Sequence, residues 1–455
     1  PDDPAGSAAA GGDPPRDGSA DRTTGQSGEF WAGDVLVVGA GASGLLIAAE
    51  LRRAGYEVTL LDADGMGAAQ SNHSHGYLHR GHIYIAPSAS LVRALGSGAD
   101  RWHQLLGEAA LTPHAARSTV GFTNPYTAAV AEAAWRAAGL TVTPAQPPPG
   151  SVPAAFARCY ATEEATYVMT PWFGRFARRH LAGVATVHGR AVELLRTGTA
   201  VTGVRVRLAR AAAAGPAGAA AAGAGGAAAA VTLRARCYVL AAGIGNLPLI
   251  SSATSYRGRA LNRTSFMLVL RATGLGNLSL VMPEHETYGL FMVSRHVDGS
   301  DVWLVSNYLS YAVESCSAQA ATMWLRATVR RLRRLTSALA ADDLRWGVYC
   351  APKGELRTDR NRLDVHSVQD YGLTNVLVAA PTKLTLCPLL ADDVARAARE
   401  RLATADAQPR GGDRWALARP LPVRGERWES VALAPADDLH RLVHDPRRQL
   451  AGWSA

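Results

Sequence analysis

The stretch from Asp34 to Asp62, DVLVVGAGASGLLIAAELRRAGYEVTLLD, leaves the chain few folds to adopt. Four apolar residues, Val35 to Val38, run into Gly39-Ala40-Gly41-Ala42-Ser43-Gly44, and a helical apolar pattern follows and closes at Gly55. That order predicts a buried strand, a tight turn and a helix. Gly39 permits the turn, Gly41 lets backbone approach a pyrophosphate, and Gly44 lets the helix lie close against the strand. With Ser43 in the same turn, the free N–H groups at the helix start then point at phosphates. A second strand, Val58 to Leu61, ends in Asp62, about 20 residues beyond the glycines, where a carboxylate accepts ribose hydroxyls. A glycine-rich turn without function is the competing reading. The ordered strand, helix and acid favour dinucleotide binding.

At 455 residues the chain can bury more than one core, and two lobes are expected. A net charge of +9 invites a nucleic-acid reading, but the charge is scattered. Its one cluster, Arg330, Arg331, Arg333 and Arg334, lies on a helical pattern with apolar positions at Leu325, Val329, Leu332, Leu335 and Leu339. That is the wet face of a core helix, so no nucleic-acid partner is expected. Of the 47 basic residues only Lys353 and Lys383 are lysine; one reading is that they mark places where a compact or deprotonatable amine is wanted, the other that they survive by chance. Outside one Ala/Gly tract no window reaches the ~18 apolar residues of a membrane helix, so no span is expected and a cytoplasmic protein is. Five cysteines without a CxxC pair suggest neither a disulfide framework nor a zinc knuckle, and a reducing compartment fits.

Residues 65 to 87 carry four histidines, His73, His75, His79 and His82. A metal site is one reading, but a loop that directly follows the second strand of a dinucleotide fold must pass the reactive ring of the cofactor. The segment Gln70 to Tyr84 resembles the cofactor-facing loop of the D-amino-acid-oxidase superfamily of FAD enzymes, above all the L-2-hydroxyglutarate dehydrogenase and glycerol-3-phosphate dehydrogenase branch. Ser71, His73, Ser74, Gly76, His79, Gly81 and Tyr84 carry the resemblance. It implies FAD as cofactor, a main-chain amide near Val192 against the adenine, and a strand Tyr238 to Ala242 with Gly243 beneath the pyrophosphate. It also implies that Lys353 stands near the anionic end of the substrate. Pro381-Thr382-Lys383-Leu384-Thr385 looks like the loop that wraps the flavin before the last helix. Arg295, Asp298, Gly299, Trp303 and Leu304 match the hydroxyglutarate branch, whereas Phe291 stands where that branch has histidine, so its diacid substrate is not carried over.

The expected fold is α/β. A discontinuous Rossmann-like FAD-binding domain with a parallel sheet takes residues 31–86, 169–250 and 346–405. A second, mixed-sheet α+β substrate domain takes 87–168 and 251–345. Residues 1–30 read as a disordered tail, 209–230 as a low-complexity insertion, and 406–455 as a polar tail on the surface or between subunits. The expected reaction is hydride removal from the CH–OH carbon of a small-molecule substrate (a hydroxy acid, sugar or polyol, in the manner of a secondary-metabolite tailoring enzyme), with oxygen or another acceptor reoxidising the flavin. A general base takes the hydroxyl proton: His79 first, with His82 and His75 behind it. Two alternatives stand beside this. One is amine oxidation of the sarcosine-oxidase kind, with Cys350 near that branch's thioether attachment of flavin and Lys383 near where it holds a carboxylate. The other is a non-catalytic FAD-binding partner protein.

Overall fold

A computed structural model describes residues 28–209, 230–256, 261–283, 289–307, 309, 311–312, 316–355, 366–404 and 415–450. The expected N-terminal tail up to residue 27 and residues 210–229 of the insertion lie outside them.

Two large sheets organise the chain. The apolar run Val35–Val38 is buried along its whole length, as a strand covered on both faces must be. It pairs in parallel with Val58–Asp62 on one side and Cys237–Leu240 on the other. Val376–Ala380 and the first residues of Ala185–Thr197 extend this parallel core outward. Antiparallel strands Ala200–Leu208 and Ala230–Arg234 continue one edge, and Ser367–Gln369 closes the other. Neighbours so distant in sequence show that one sheet is assembled from separated segments. The helices Ala42–Arg53 and Cys387–Thr404 share a core with one face of it, including Val37, Leu45, Leu390 and Val394.

The second sheet is mixed: its strands are antiparallel except where Ser279–Met282 runs parallel to Ser118–Phe122. Its longest partners are Leu261–Ala272 and Arg345–Glu355. The amphipathic helix Ala318–Leu335 covers one face, burying Trp324, Leu325, Val329 and Leu332. Arg333 contacts His440 and His444 of the short helix Ala436–His444, so part of the arginine cluster is an intramolecular contact. The helix Ala89–Glu108 begins where the Ser88 hydroxyl accepts from Leu91 N and caps it. No described helix is long and apolar enough to cross a membrane.

Residues beyond 414 differ most from expectation. They thread between the sheets as a strap rather than lying on the surface as a tail. Arg419 N donates to Thr186 O, Met66 N to Pro422 O, Arg427 N to Asn72 O, and Ala434–Pro435 adds a strand to the second sheet. Trp428 is buried with Met267, Val293, Leu304 and Tyr349 on the sheet face turned away from the amphipathic helix.

Candidate active site

The glycine turn forms a cradle. Gly39 has φ +111°, and a Cβ there would stand 2.4 Å from Ala241 O, so the turn lies directly on the end of the neighbouring strand. A Cβ at Gly44 would fall 1.8 Å from Gly39 O, which is the close packing expected of the third glycine. At Gly41 a Cβ meets only Ser71 Oγ, at 3.1 Å, and at Gly243 only Gln70 Oε1, at 3.8 Å. These two glycines border one groove, and Gly41 precedes the first turn of the helix Ala42–Arg53. Helix-start amides beside side-chain-free backbone suit a pyrophosphate. Ser71 Oγ takes the N–H of Ala42 at 3.0 Å, bringing the histidine-bearing loop to the same helix end.

Asp62 accepts from Ala40 N at 2.7 Å, and through its other oxygen from Asp64 and Gly65 N. The carboxylate therefore stands within the cradle and is oriented by it. Val192 lies where the hairpin register skips a residue, between Glu193↔Arg205 and Ala191↔Val206. Such a bulge leaves its residue outside the ladder. Ser43, by contrast, points away from the groove: its buried hydroxyl donates to Cys387 Sγ at 3.2 Å. Ala242 N is held by Asn246 Oδ1 at 2.8 Å, which shapes the turn at Gly243.

Of the histidines, His82 belongs to a buried ion pair rather than to the groove. Glu164, fully buried, takes the Tyr77 hydroxyl and the N–H groups of Arg80, Gly81 and His82. His82 donates through Nδ1 to that carboxylate and through Nε2 to Thr141 O, so both ring nitrogens carry protons. Burial opposes charge on both partners. The mutual hydrogen bond and attraction outweigh it, raising the His82 pKa and holding Glu164 at about 2. An imidazolium bonded at both ends has no lone pair with which to serve as base. Glu164 itself, the organiser of this loop, carries no sequence signal: it is the second of two adjacent acids between the strands Arg158–Thr162 and Ala165–Thr166.

His75 is the opposite case. Burial, then the charges of Lys353 and Arg295, bring it down to about 3, so its ring is neutral. It stands 5.7 Å from the Phe291 ring, with Nε2 3.4 Å from Ser306 Oγ. His73 is lowered to about 4, by burial and then Arg427, and meets Tyr349 edge-on. Ser74 closes the local turn by donating to Ser71 O, and Gly76 (φ +62°) lies so tight against Tyr167 O that a Cβ would stand 1.9 Å from it. His79 is buried, its ring stacked on Tyr77 and edge-on to Tyr84, and its N–H donates to Thr385 Oγ1 at 3.2 Å. Thr385 and Leu384 lie in the turn Leu384–Leu386 that leads into Cys387–Thr404, with Lys383 capping the turn; Leu384 O takes the indole N–H of Trp102. Pro381 ends the adjoining buried strand.

The second sheet faces this loop with Phe291, Arg295, Ser306, Tyr349 and, by strand alternation from Tyr349, Ala351 and Lys353. Arg263 pairs across the strands with Lys353, so two cations stand abreast at the same end of this face. Cys350 lies on the other face, against the cluster of Trp324 and Leu325, 2.7 Å from Cys316 Sγ. That placement does not suit attachment to a flavin in the groove. Arg295, itself buried, is taken up internally: its Nε pairs with Glu426 Oε2 at 3.4 Å and its Nη2 donates to His75 O and Tyr167 O. Glu426 also receives the Trp428 indole N–H and Met169 N. The strap thereby anchors the histidine loop from behind. No cluster among the described residues could hold a metal ion.

A family model described as FAD dependent oxidoreductase matches residues 34–397. The chain is 26% identical over 377 residues to the probable FAD-dependent oxidoreductase PA4991 of Pseudomonas aeruginosa, covering 79% of this chain and 89% of that one. The crystal structure of PA4991 superposes with a TM-score of 0.60 at 21% identity, over 89% of this chain and 98% of the other. Glycine oxidase from Geobacillus kaustophilus (TM-score 0.61, 15% identity, 85% and 99% covered) shares the fold. So does NikD, an amino acid oxidase of nikkomycin biosynthesis (TM-score 0.61, 15% identity, 88% and 99% covered).

Proposed function

Since the chain belongs to this family of FAD-dependent oxidoreductases, we propose that it oxidises the carbon–nitrogen bond of a small amino or imino acid anion. FAD, when bound, supplies the two-electron acceptor. The glycine cradle at Gly39, Gly41 and Gly44, Asp62, the Val192 bulge and the turns at Gly243 and Pro381–Thr385 are the residues that would hold it. One observation carries the choice of substrate: the sheet face opposite the histidine loop sets Arg263 and Lys353 abreast, beside a His75 ring kept neutral first by burial and then by the charges of Lys353 and Arg295.

Two consequences follow from that arrangement. A carboxylate is drawn to the paired cations, Arg263 offering a fork and Lys353 a point charge. An imidazole depressed to about 3 or 4 is a poor base for a hydroxyl proton, since efficient proton transfer wants a pKa near the working pH. An amine offers its own lone pair once deprotonated and needs no such base. Phe291, His75 and Tyr77 line the apolar side and help exclude water. Glycine oxidase and NikD, both amino acid oxidases by name, support the reading at the level of fold.

A CH–OH substrate is the second reading, and His79 favours it, because its main-chain N–H is bonded to Thr385 and so its buried ring stands beside the turn Leu384–Leu386. Anaerobic bleaching of the bound flavin with a panel of amino acids, secondary amines, hydroxy acids and sugars decides between them. Rapid bleaching by hydroxy acids or sugars alone would overturn the amine assignment, and resistance to every compound would leave a non-catalytic FAD protein.

A further inference from the structure

We propose that Cys316 and Cys350 form a reversible dithiol–disulfide couple, a modification site outside the flavin groove. All five cysteines are thiols, and these two, 34 positions apart in sequence, are brought within 2.7 Å of one another, sulfur to sulfur. Cys350 sits in the middle of the strand Arg345–Glu355, opposite Phe266, and its side chain packs against the amphipathic helix. Cys316 precedes that helix, just before its cap, Ser317. Strand and helix start are held in place by the buried cluster of Trp324, Leu325 and Phe266, so the convergence belongs to the packed core rather than to two loose ends. Joining the sulfurs at about 2.05 Å is a side-chain adjustment.

Burial, reinforced by the hydrogen bond with Cys316, pushes the Cys350 thiol far above its ordinary range, so it stays protonated. Hydrogen peroxide oxidises one of the two thiols; where that is Cys316, its sulfur takes one peroxide oxygen, giving a sulfenic acid, and one water leaves. The Cys350 sulfur then attacks the sulfenic sulfur, the S–O bond breaks, and a second water departs with the thiol proton. Two thiols are oxidised, one peroxide is reduced, and no other reactant is needed. The bond ties the start of the helix to a strand whose opposite face carries Tyr349 and Lys353, and an external thiol restores both cysteines.

The test uses the full chain with its flavin bound, treated with hydrogen peroxide and then alkylated without reductant. Titratable thiols should fall by two. Peptides bearing Cys316 and Cys350 should appear joined, lighter by two hydrogens, and separate with dithiothreitol. Cys316→Ser should give no joined peptide and no loss of thiols. Retention of all five thiols in the wild-type protein, or oxidation of either sulfur to sulfinic acid without a joined peptide, overturns the proposal. The wild-type peptide map decides by itself if the variant does not fold.

Discussion

At the scale of single residues, four histidines in one loop have different chemical fates because their neighbours differ. His82 is charged by Glu164, and His73 and His75 are discharged by burial beside Arg427, Lys353 and Arg295. The Glu164 pair has a defined pH signature. A carboxyl held at about 2 contributes stability that is present above its unfolded value of about 4.3 and is lost as pH falls through about 2. A histidine with a raised pKa contributes stability that is full below about 6.5 and is lost as pH rises through the folded value. Glu164→Gln, which leaves His82 buried without its partner, should therefore cost about 3–5 kcal/mol, most between about pH 4.5 and 6.5, as read from urea melts across pH. A penalty constant from pH 3 to 9 contradicts the assignment. His79→Ala separates the two substrate readings. If an alcohol is the substrate, single-turnover flavin reduction should fall ~100-fold or more with FAD retained; with an amine the loss should be under about tenfold, since a general base supplies roughly 10²–10⁴ and none is needed there.

At the scale of elements, the cradle and the strap make opposite demands on a reader of the sequence. The strand-turn-helix unit was legible because its logic is local: Gly39 needs its positive φ, and Gly44 its contact with Gly39 O, within one turn. Gly41→Val should accordingly lower FAD occupancy, read from the absorbance ratio of flavin to protein, with far-ultraviolet circular dichroism unchanged, because its side chain would enter the groove rather than the core. Loss of helical signal instead would make Gly41 a folding residue. The buried strands were legible too, as apolar runs bounded by turn and helical patterns, while the return of later segments to the first sheet was read from the family resemblance. The strap was not. Glu426 finds Arg295 across 131 positions and Arg427 N finds Asn72 O hundreds of positions before it, and polar partners so far apart leave no periodicity to detect. For the same reason Ser43 was placed at the pyrophosphate turn and His82 among the candidate bases, while Cys387 and Glu164 claim them in space. Glu426→Ala strands the Arg295 guanidinium in the interior and should cost about 3–5 kcal/mol, measurable as a lowered urea midpoint. A change below 1 kcal/mol would mean that the strap carries little of the anchoring.

At the scale of the whole molecule, two sheets of different character divide the work. The first, with its parallel centre, offers helix-start amides and glycine turns. The second offers a face of cations and aromatic rings. Between them run the histidine loop and the strap, whose bonds reach Met66 and Asn72 on one side and Trp346 on the other, where it also packs closely on Gly347. Ligand that binds only the folded state stabilises it by mass action, about 2.7 kcal/mol at 100 times Kd. Protein stripped of flavin should therefore melt lower than protein with added FAD, and the difference should grow with FAD concentration. Equal melting curves with and without FAD would count against a groove built for it.

The strap also carries a consequence for how such a chain comes into being. On the ribosome, the glycine cradle and the histidine loop emerge hundreds of residues ahead of Glu426, and until that carboxylate arrives Arg295 has no anion to meet. Nascent chains should accordingly stay susceptible to protease at the loop, and take up flavin durably only once synthesis has passed the strap.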